Sequence, residues 1–345
     1  MTGLSRALSP VSSLVAVVLA AFLLASCGSA PQEVSEPEAV EPRPLGDVRF
    51  HVDPAGNAVQ AVERLRAAGE TQRAALVERR IAEQPSATWL TTDPDQVFAQ
   101  AQSVTEAAAS EGTMPVLVAY NVPGRDCGLY SSGGAEDIDD YLAWVGSLAA
   151  GIGGRPAVVV LEPDAVPHGL DGCVEGAEVG ERYRMIAEAV TILRRQPEVR
   201  VYVDAGNASW VEDLDALATA LRASGVEQAD GFALNVSNFE TTERSAEYGR
   251  RLSALVDDAH FVIDTSRNGA GPPEQAADGD GEQGAWCNPP GRRLGEPPTT
   301  ETGDELVDAW LWIKQPGDSD GTCLPGAPDA GTWWPAYASE LLGVR

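Results

Sequence analysis

From Ala87 onward the chain alternates short apolar runs with longer stretches that are apolar on one helical face only. The clearest run is Ala157 to Leu161 (AVVVL), continuous and β-branched, which reads as a strand buried on both faces of a parallel sheet. Similar runs lie in MPVLVAYN (114–121), VRVYVDAG (199–206), GFALNVSN (231–238) and HFVIDTS (260–266). A short strand over Ala87–Leu90 precedes them and another over Val307–Ile313 follows. Between the strands, apolar residues recur at helical spacing. Asp93-Pro94 caps and opens a helix through Val97, Phe98, Ala101 and Val104. Further helices are predicted from Ile138 to Leu148, Glu181 to Arg195, Trp210 to Ala223 and Thr242 to Asp257. Asn57–Ala82 forms a helical layer ahead of the first strand, and a last helix runs near Trp334–Leu342. Strand and helix in strict alternation predict an α/β fold, a seven-stranded parallel (TIM-like) barrel. Gly151–Gly154 precedes a strand instead of following one, so it ends a helix and does not cradle phosphate.

Each run ends in polar residues. Glu162-Pro163-Asp164 follows the valines, and proline stops the ladder there because it has no N–H to donate. Tyr120, Asn121, Arg125 and Asp126 lie past the second strand, Asp204 and Asn207 past the fourth, and Asn235 and Asn238 past the fifth. Asp264 and Arg267 end the sixth, and Lys314, Asp318 and Asp320 follow the seventh. Parallel barrels assemble their sites at that edge. Asp126, Asp164, Asp204 and Asp320 form a carboxylate set without histidine, which fits hard-metal binding or glycosidic cleavage. Trp89, Trp210 and Trp286 border polar loops, where flat faces could stack on sugar rings, and this favours glycosidic cleavage. Trp310 and Trp312 sit within a strand and fit a core equally well.

Other features narrow the setting. Arg6 precedes an apolar run from Val11 to Leu24 that ends in Leu24-Ala25-Ser26-Cys27. This fits a lipoprotein-type signal over residues 1–26, with Cys27 becoming the lipidated first residue. Residues 27–47, rich in Pro and Glu, form a tether, and 48–345 the catalytic barrel. The expected location is the outer face of the cytoplasmic membrane, or the medium if Cys27 is not lipidated. A formal charge of −28 argues against nucleic acid and anionic membrane surfaces, leaving the lipid as the only membrane contact. Four cysteines remain, an even number in an exported chain, and neighbour pairing gives Cys127–Cys173 and Cys287–Cys323. Each would stabilise by roughly 3–4 kcal/mol. With no C-x-x-C and three scattered histidines, their spacing does not fit zinc.

YNVPGRDCGLYSSGG, VVVLEPDAV, VYVDAGNASW, FALNVSNF, FVIDTSRNG, WCNPPGRRLG and WIKQPGDSDGTC together resemble the motif series of glycoside hydrolase family 6, the β-1,4-glucan-cutting cellulases. The resemblance runs from about Phe50 to Tyr337 and implies a distorted α/β barrel that inverts the anomeric carbon. It implies that Asp164 is the general acid and that Asp126 raises its pKa. It makes Asp320 the candidate base, and Tyr120 the residue that crowds the sugar at the cleavage point. Trp89, Arg125, Asp204, Asn207, Trp210, Asn238, Trp286, Lys314 and Asp318 would bind substrate or order the site. No metal and no cofactor are implied, and a monomer is expected. Two positions depart from the family pattern: Asn207 stands where a histidine is usual, and Asp318 where a glutamate is usual. The 45 residues between Cys127 and Cys173, and the 35 between Cys287 and Cys323, leave no room for long roofing loops. Internal cleavage is therefore expected, with three alternatives. These are exo action of the cellobiohydrolase type, a weakly catalytic glucan-binding lipoprotein, and a metal-dependent hydrolase.

Overall fold

The computed structural model describes residues 43–273 and 286–344. The expected signal, Cys27 and most of the tether lie outside the described residues. Seven strands form the sheet: β1 Thr88–Leu90, β2 Val116–Ala119, β3 Ala157–Leu161, β4 Val199–Asp204, β5 Gly231–Leu234, β6 His260–Asp264 and β7 Val307–Leu311. They pair in sequence order, and every pair is parallel. Among the described residues, no ladder joins β1 to β7. The Ala87 amide reaches the Trp312 carbonyl at 2.9 Å, and the Trp89 indole reaches the Ile313 carbonyl at 2.8 Å. The result is a distorted barrel with its seam bridged by these contacts.

Continuous apolar strands make sense because both faces are covered. One face (Val118, Val158, Val160, Tyr202, Ala233, Val262, Ala309) fills the inside of the curl. The other (Leu117, Val159, Leu161, Val201, Val203, Phe232, Ile263) packs under helices. Those helices are α3 Pro94–Glu111, α4 Ile138–Ile152, α5 Ala177–Arg194, α6 Leu214–Ala223 and α7 Thr242–Ser253; α1 Asn57–Ala67 and α2 Thr71–Val77 instead form a separate apolar cluster with Trp333 and Leu342, which flank α8 Pro335–Leu341. Asp93 caps α3 by accepting the Gln96 amide at 3.0 Å, and Gly153 ends α4 in the left-handed region.

Among the boundaries that differ from the sequence reading, two change what a segment does. Helix α6 starts at Leu214, not Trp210, because Asp213 caps it by accepting the Ala216 amide at 3.0 Å. That leaves Trp210 in the loop after β4. The barrel also begins ahead of residue 48. Arg43 donates to the buried Asp230 carboxylate at 3.1 Å and to the Val199 carbonyl at 2.9 Å, and Leu45 is buried. An ion pair and an apolar side chain dock this stretch on the barrel, so it is not tether.

Candidate active site

The residues after β3 double back sharply: Glu162 has φ +49° and Asp164 φ +72°, with Pro163 between them. Such left-handed residues are held by their surroundings at a cost and cluster at working sites. Here the surroundings are specific. Glu162 turns away from solvent and accepts the Asn121 and Val122 amides at 3.0 Å each, tying the ends of β2 and β3 together. Asp164 turns the other way, into a cleft of about 1080 Å³ at the carboxyl ends of the strands. Its amide donates to Asp204 at 2.9 Å, and the Tyr120 hydroxyl donates to its carboxylate at 3.3 Å.

The loop after β2 brings the second carboxylate. Arg125 grips the carbonyls of Tyr120 and Ser131 at 2.7 Å and Ser132 at 3.1 Å, and lies over the Tyr120 ring. It thus folds the loop back on itself. Asp126, also left-handed, accepts the Ser131 amide at 2.6 Å and faces the cleft. Cys127 beside it is bonded to Cys173, and Cys287 to Cys323.

Past β7 the third carboxylate is differently placed. Asp320 receives Arg267 at 2.8 and 2.9 Å, Lys314 at 3.0 Å and the Asn288 amide at 2.9 Å. Lys314 is set in turn by Asp264, which accepts its amide at 2.9 Å.

These surroundings push the acids apart in strength. Burial raises the Asp164 pKa well above the usual range, and the negative charges of Asp204 and then Asp126 add to it. Asp204 is itself pushed up to about 7 by burial, against backbone N–H donors that favour its charged form. Burial likewise raises Asp126, against the Ser131 amide and Arg125. Burial works against ionising Asp320 too, but Arg267 and Lys314 outweigh it and hold the carboxyl below its ordinary value. Within one cleft, Asp164 is thus biased toward its protonated form and Asp320 toward its ionised form.

The cleft brings together all but one of the sequence-predicted catalytic and binding residues. Tyr120, Arg125, Asp126, Asp164, Lys314 and Asp320 line it, with Trp89, Trp210 and Trp286 as aromatic walls. Asn207, Asn238 and Asp318 also line it. Asp204 does not: it is buried behind Asp164 and orders that residue from below. Asn207 accepts the Ser209 amide at 3.1 Å, a local turn. Asp318 is reached at 2.7 Å by the Asn57 amide group, and burial lifts its pKa to about 6. Trp310 and Trp312 are not in the cleft wall, and Trp312 is buried. Among the described residues, one group of His, Cys and carboxylate atoms lies close enough to share an ion: Cys127, His168 and Cys173, whose sulfurs are joined to each other.

Arg267 was named at the polar edge but given no role in the sequence reading, and Asp171 was missing from it. Arg267 had a signal, since an arginine ending an apolar strand must find a buried carboxylate. Asp171 had none, because its partner is 39 residues away.

The family model described as glycosyl hydrolases family 6 matches residues 45–344. Endoglucanase A of Cellulomonas fimi is 41% identical over 294 residues, 85% of this chain and 60% of that protein. Endoglucanase 1 of a Streptomyces species (strain KSM-9) is 42% identical over 277 residues, 79% of this chain and 72% of that one. Among solved structures, endoglucanase Cel6 of Mycobacterium tuberculosis, in complex with methyl-cellobiosyl-4-deoxy-4-thio-β-D-cellobioside, superposes with a TM-score of 0.79 at 42% identity. That match covers 86% of this chain and 97% of the other.

Proposed function

The chain belongs to family 6 of the glycosyl hydrolases, and from that premise we propose that it is an endo-β-1,4-glucanase that inverts the anomeric carbon. The observation that carries this reading is Asp164. It is a carboxyl whose pKa is raised by burial and by two neighbouring acids, open to a cleft walled by tryptophans. A protonated acid beside a stacked glucan can give its proton to the departing glycosidic oxygen as the bond breaks. Asp126 and Asp204 maintain that proton. Tyr120, whose hydroxyl touches Asp164, crowds the sugar at the point of cleavage.

The other side of the reaction falls to Asp320. Arg267, Lys314 and the Asn288 amide occupy its oxygens, which leaves it a poor covalent nucleophile. That supports attack by water over a glycosyl-enzyme. Its basicity is also reduced, so it would assist water only weakly. An oxocarbenium-like centre is electrophilic enough to need little more. Trp89, Trp210 and Trp286 serve as platforms for sugar rings, while Arg125 acts by shaping the loop of Asp126.

Endo action rests on the two short disulfide loops and on the endoglucanase relatives. The solved relative's cello-oligosaccharide analogue supports a β-1,4-glucan as substrate. We assign residues 1–26 to a signal and Cys27 to a lipid anchor, which would keep a monomeric enzyme on the outer face of the cytoplasmic membrane. Mass spectrometry of the mature N-terminus tests that anchor.

The deciding experiment for function is hydrolysis of carboxymethylcellulose and cello-oligosaccharides, with Asp164→Ala as control and proton NMR of the first product. The α-anomer is expected first. A β-anomer, or turnover unaffected by Asp164→Ala, would refute the mechanism.

A further inference from the structure

Two side chains of the loop after Asp164 hold Trp210 in the cleft wall. Its indole N–H donates to Asp171 Oδ2 at 3.1 Å. It packs against the His168 ring in a T-shaped arrangement, with centroids 5.3 Å apart at 68°. Gly206, at φ +70°, leaves space where a Cβ would press on Pro167 and on the Trp210 ring. Trp210 lies outside α6, so the helix does not fix it.

Asp171 is itself tied down. Its amide donates to the Pro167 carbonyl at 3.2 Å, and its Oδ1 accepts the Cys173 amide at 3.0 Å. Cys173 is bonded to Cys127, the neighbour of Asp126. The loop begins on Asp164, whose carbonyl accepts the His168 amide at 2.9 Å. Acid, indole anchor and disulfide thus occupy one ten-residue turn of chain, 164–173.

We propose that Asp171 is a positioning residue that fixes Trp210 as the platform for the sugar next to Asp164, and that the Cys127–Cys173 disulfide holds Asp171 in place for this. An indole on a loop can swing about its side-chain torsions. A hydrogen bond to an anchored carboxylate, with a second aromatic ring packed against the indole, restricts it to one pose before substrate arrives. A preorganised platform spares the ordering cost at binding. Because the anchor shares a loop with the acid, ring plane and proton donor keep a fixed relation. Trp89, whose indole N–H goes to the Ile313 carbonyl at 2.8 Å, is held by backbone and has no such carboxylate anchor.

The inference rests on the glucanase reading, and the test separates the two. kcat/KM is measured at the pH optimum for cellotetraose, whose leaving group is a sugar, and for β-cellobiosyl fluoride, whose leaving group is a single atom. In Asp171→Ala and in Trp210→Phe, which keeps a ring but cannot donate, the cellotetraose-to-fluoride ratio should fall about five- to tenfold, mostly through KM, the size expected for one lost hydrogen bond. The double variant should fall no further than Trp210→Phe, since both remove the same interaction. Cys127→Ser/Cys173→Ser should lower the same ratio. A ratio unchanged in Asp171→Ala, or additive losses in the double variant, would overturn the proposal. Failure of the unmutated enzyme to hydrolyse either substrate would instead overturn the glucanase reading.

Discussion

The carboxylate of Asp204 accepts the backbone amide of Asp164 at 2.9 Å. One acid thus sits directly beneath another, and among the described residues neither forms an ion pair. The hydrogen bond sets the left-handed turn that aims Asp164 into the cleft, and the negative charge beneath it favours the protonated form. A single contact therefore shapes the turn and tunes its acid.

If Asp164 delivers the proton, its importance should follow the leaving group. Asp164→Ala should lower kcat on cello-oligosaccharides about a thousandfold or more. On a dinitrophenyl cellobioside, whose phenolate leaves unaided, the loss should be far smaller. Equal losses on both substrates would mean that Asp164 acts otherwise.

The alkaline limb of the kcat profile should report Asp164. An acid with a raised pKa is protonated, and active, below that pKa, so activity falls as pH rises through it. Asp204→Asn keeps an oxygen for the Asp164 amide but removes the charge, and Asp126→Asn removes the other. Each should move the alkaline limb toward lower pH, by about one unit, with Asp204→Asn the larger since its charge weighs more on Asp164. A limb that stays in place in both variants would exclude charge tuning.

Arg267 is fully buried against Asp320 and lies over the Phe239 ring at 4.5 Å. Replacing it with methionine leaves a buried carboxylate with Lys314 as its remaining cation. Urea denaturation should show a loss of roughly 3–5 kcal/mol. An Arg267→Met protein as stable as the parent would show the pair to be dispensable.

Folding stability should decline between about pH 4 and pH 7. Glu162 and Asp204 both have folded pKa values of about 7, against about 4 when unfolded. The folded state therefore binds more protons in that window. Their contribution is full below the unfolded value and lost as pH rises through the folded one. Asp320 has the opposite sign, and its contribution is lost only as pH falls through its lowered pKa. The unfolding midpoint should be several degrees higher at pH 5 than at pH 8, and Glu162→Gln should flatten that difference.

Internal cleavage has its own signature: viscosity of carboxymethylcellulose should collapse while few reducing ends have formed. Cellobiose as the sole early product would instead mark exo action.

The sequence alone determined the strand–helix alternation and the polar edge. Burial on both faces of a parallel strand demands the unbroken valines of AVVVL, and a proline must end the ladder there. Those are local requirements, legible in a window of ten residues. The motif series likewise places Asp126, Asp164 and Asp320 without coordinates. What tertiary structure decided is which way each side chain points after the strand ends. Glu162 and Asp164, two residues apart, look alike in sequence, yet one binds backbone amides from β2 and the other enters the cleft. Asp204 reads as a cleft residue and lies behind one. Trp210 reads as the start of a helix, and Asp213, three residues on, is the residue that caps it. Asp320 reads as a free base and is clasped by Arg267, 53 residues earlier. Each outcome depends on a partner brought from another strand by the curl of the sheet, and such pairings have no signature in local spacing.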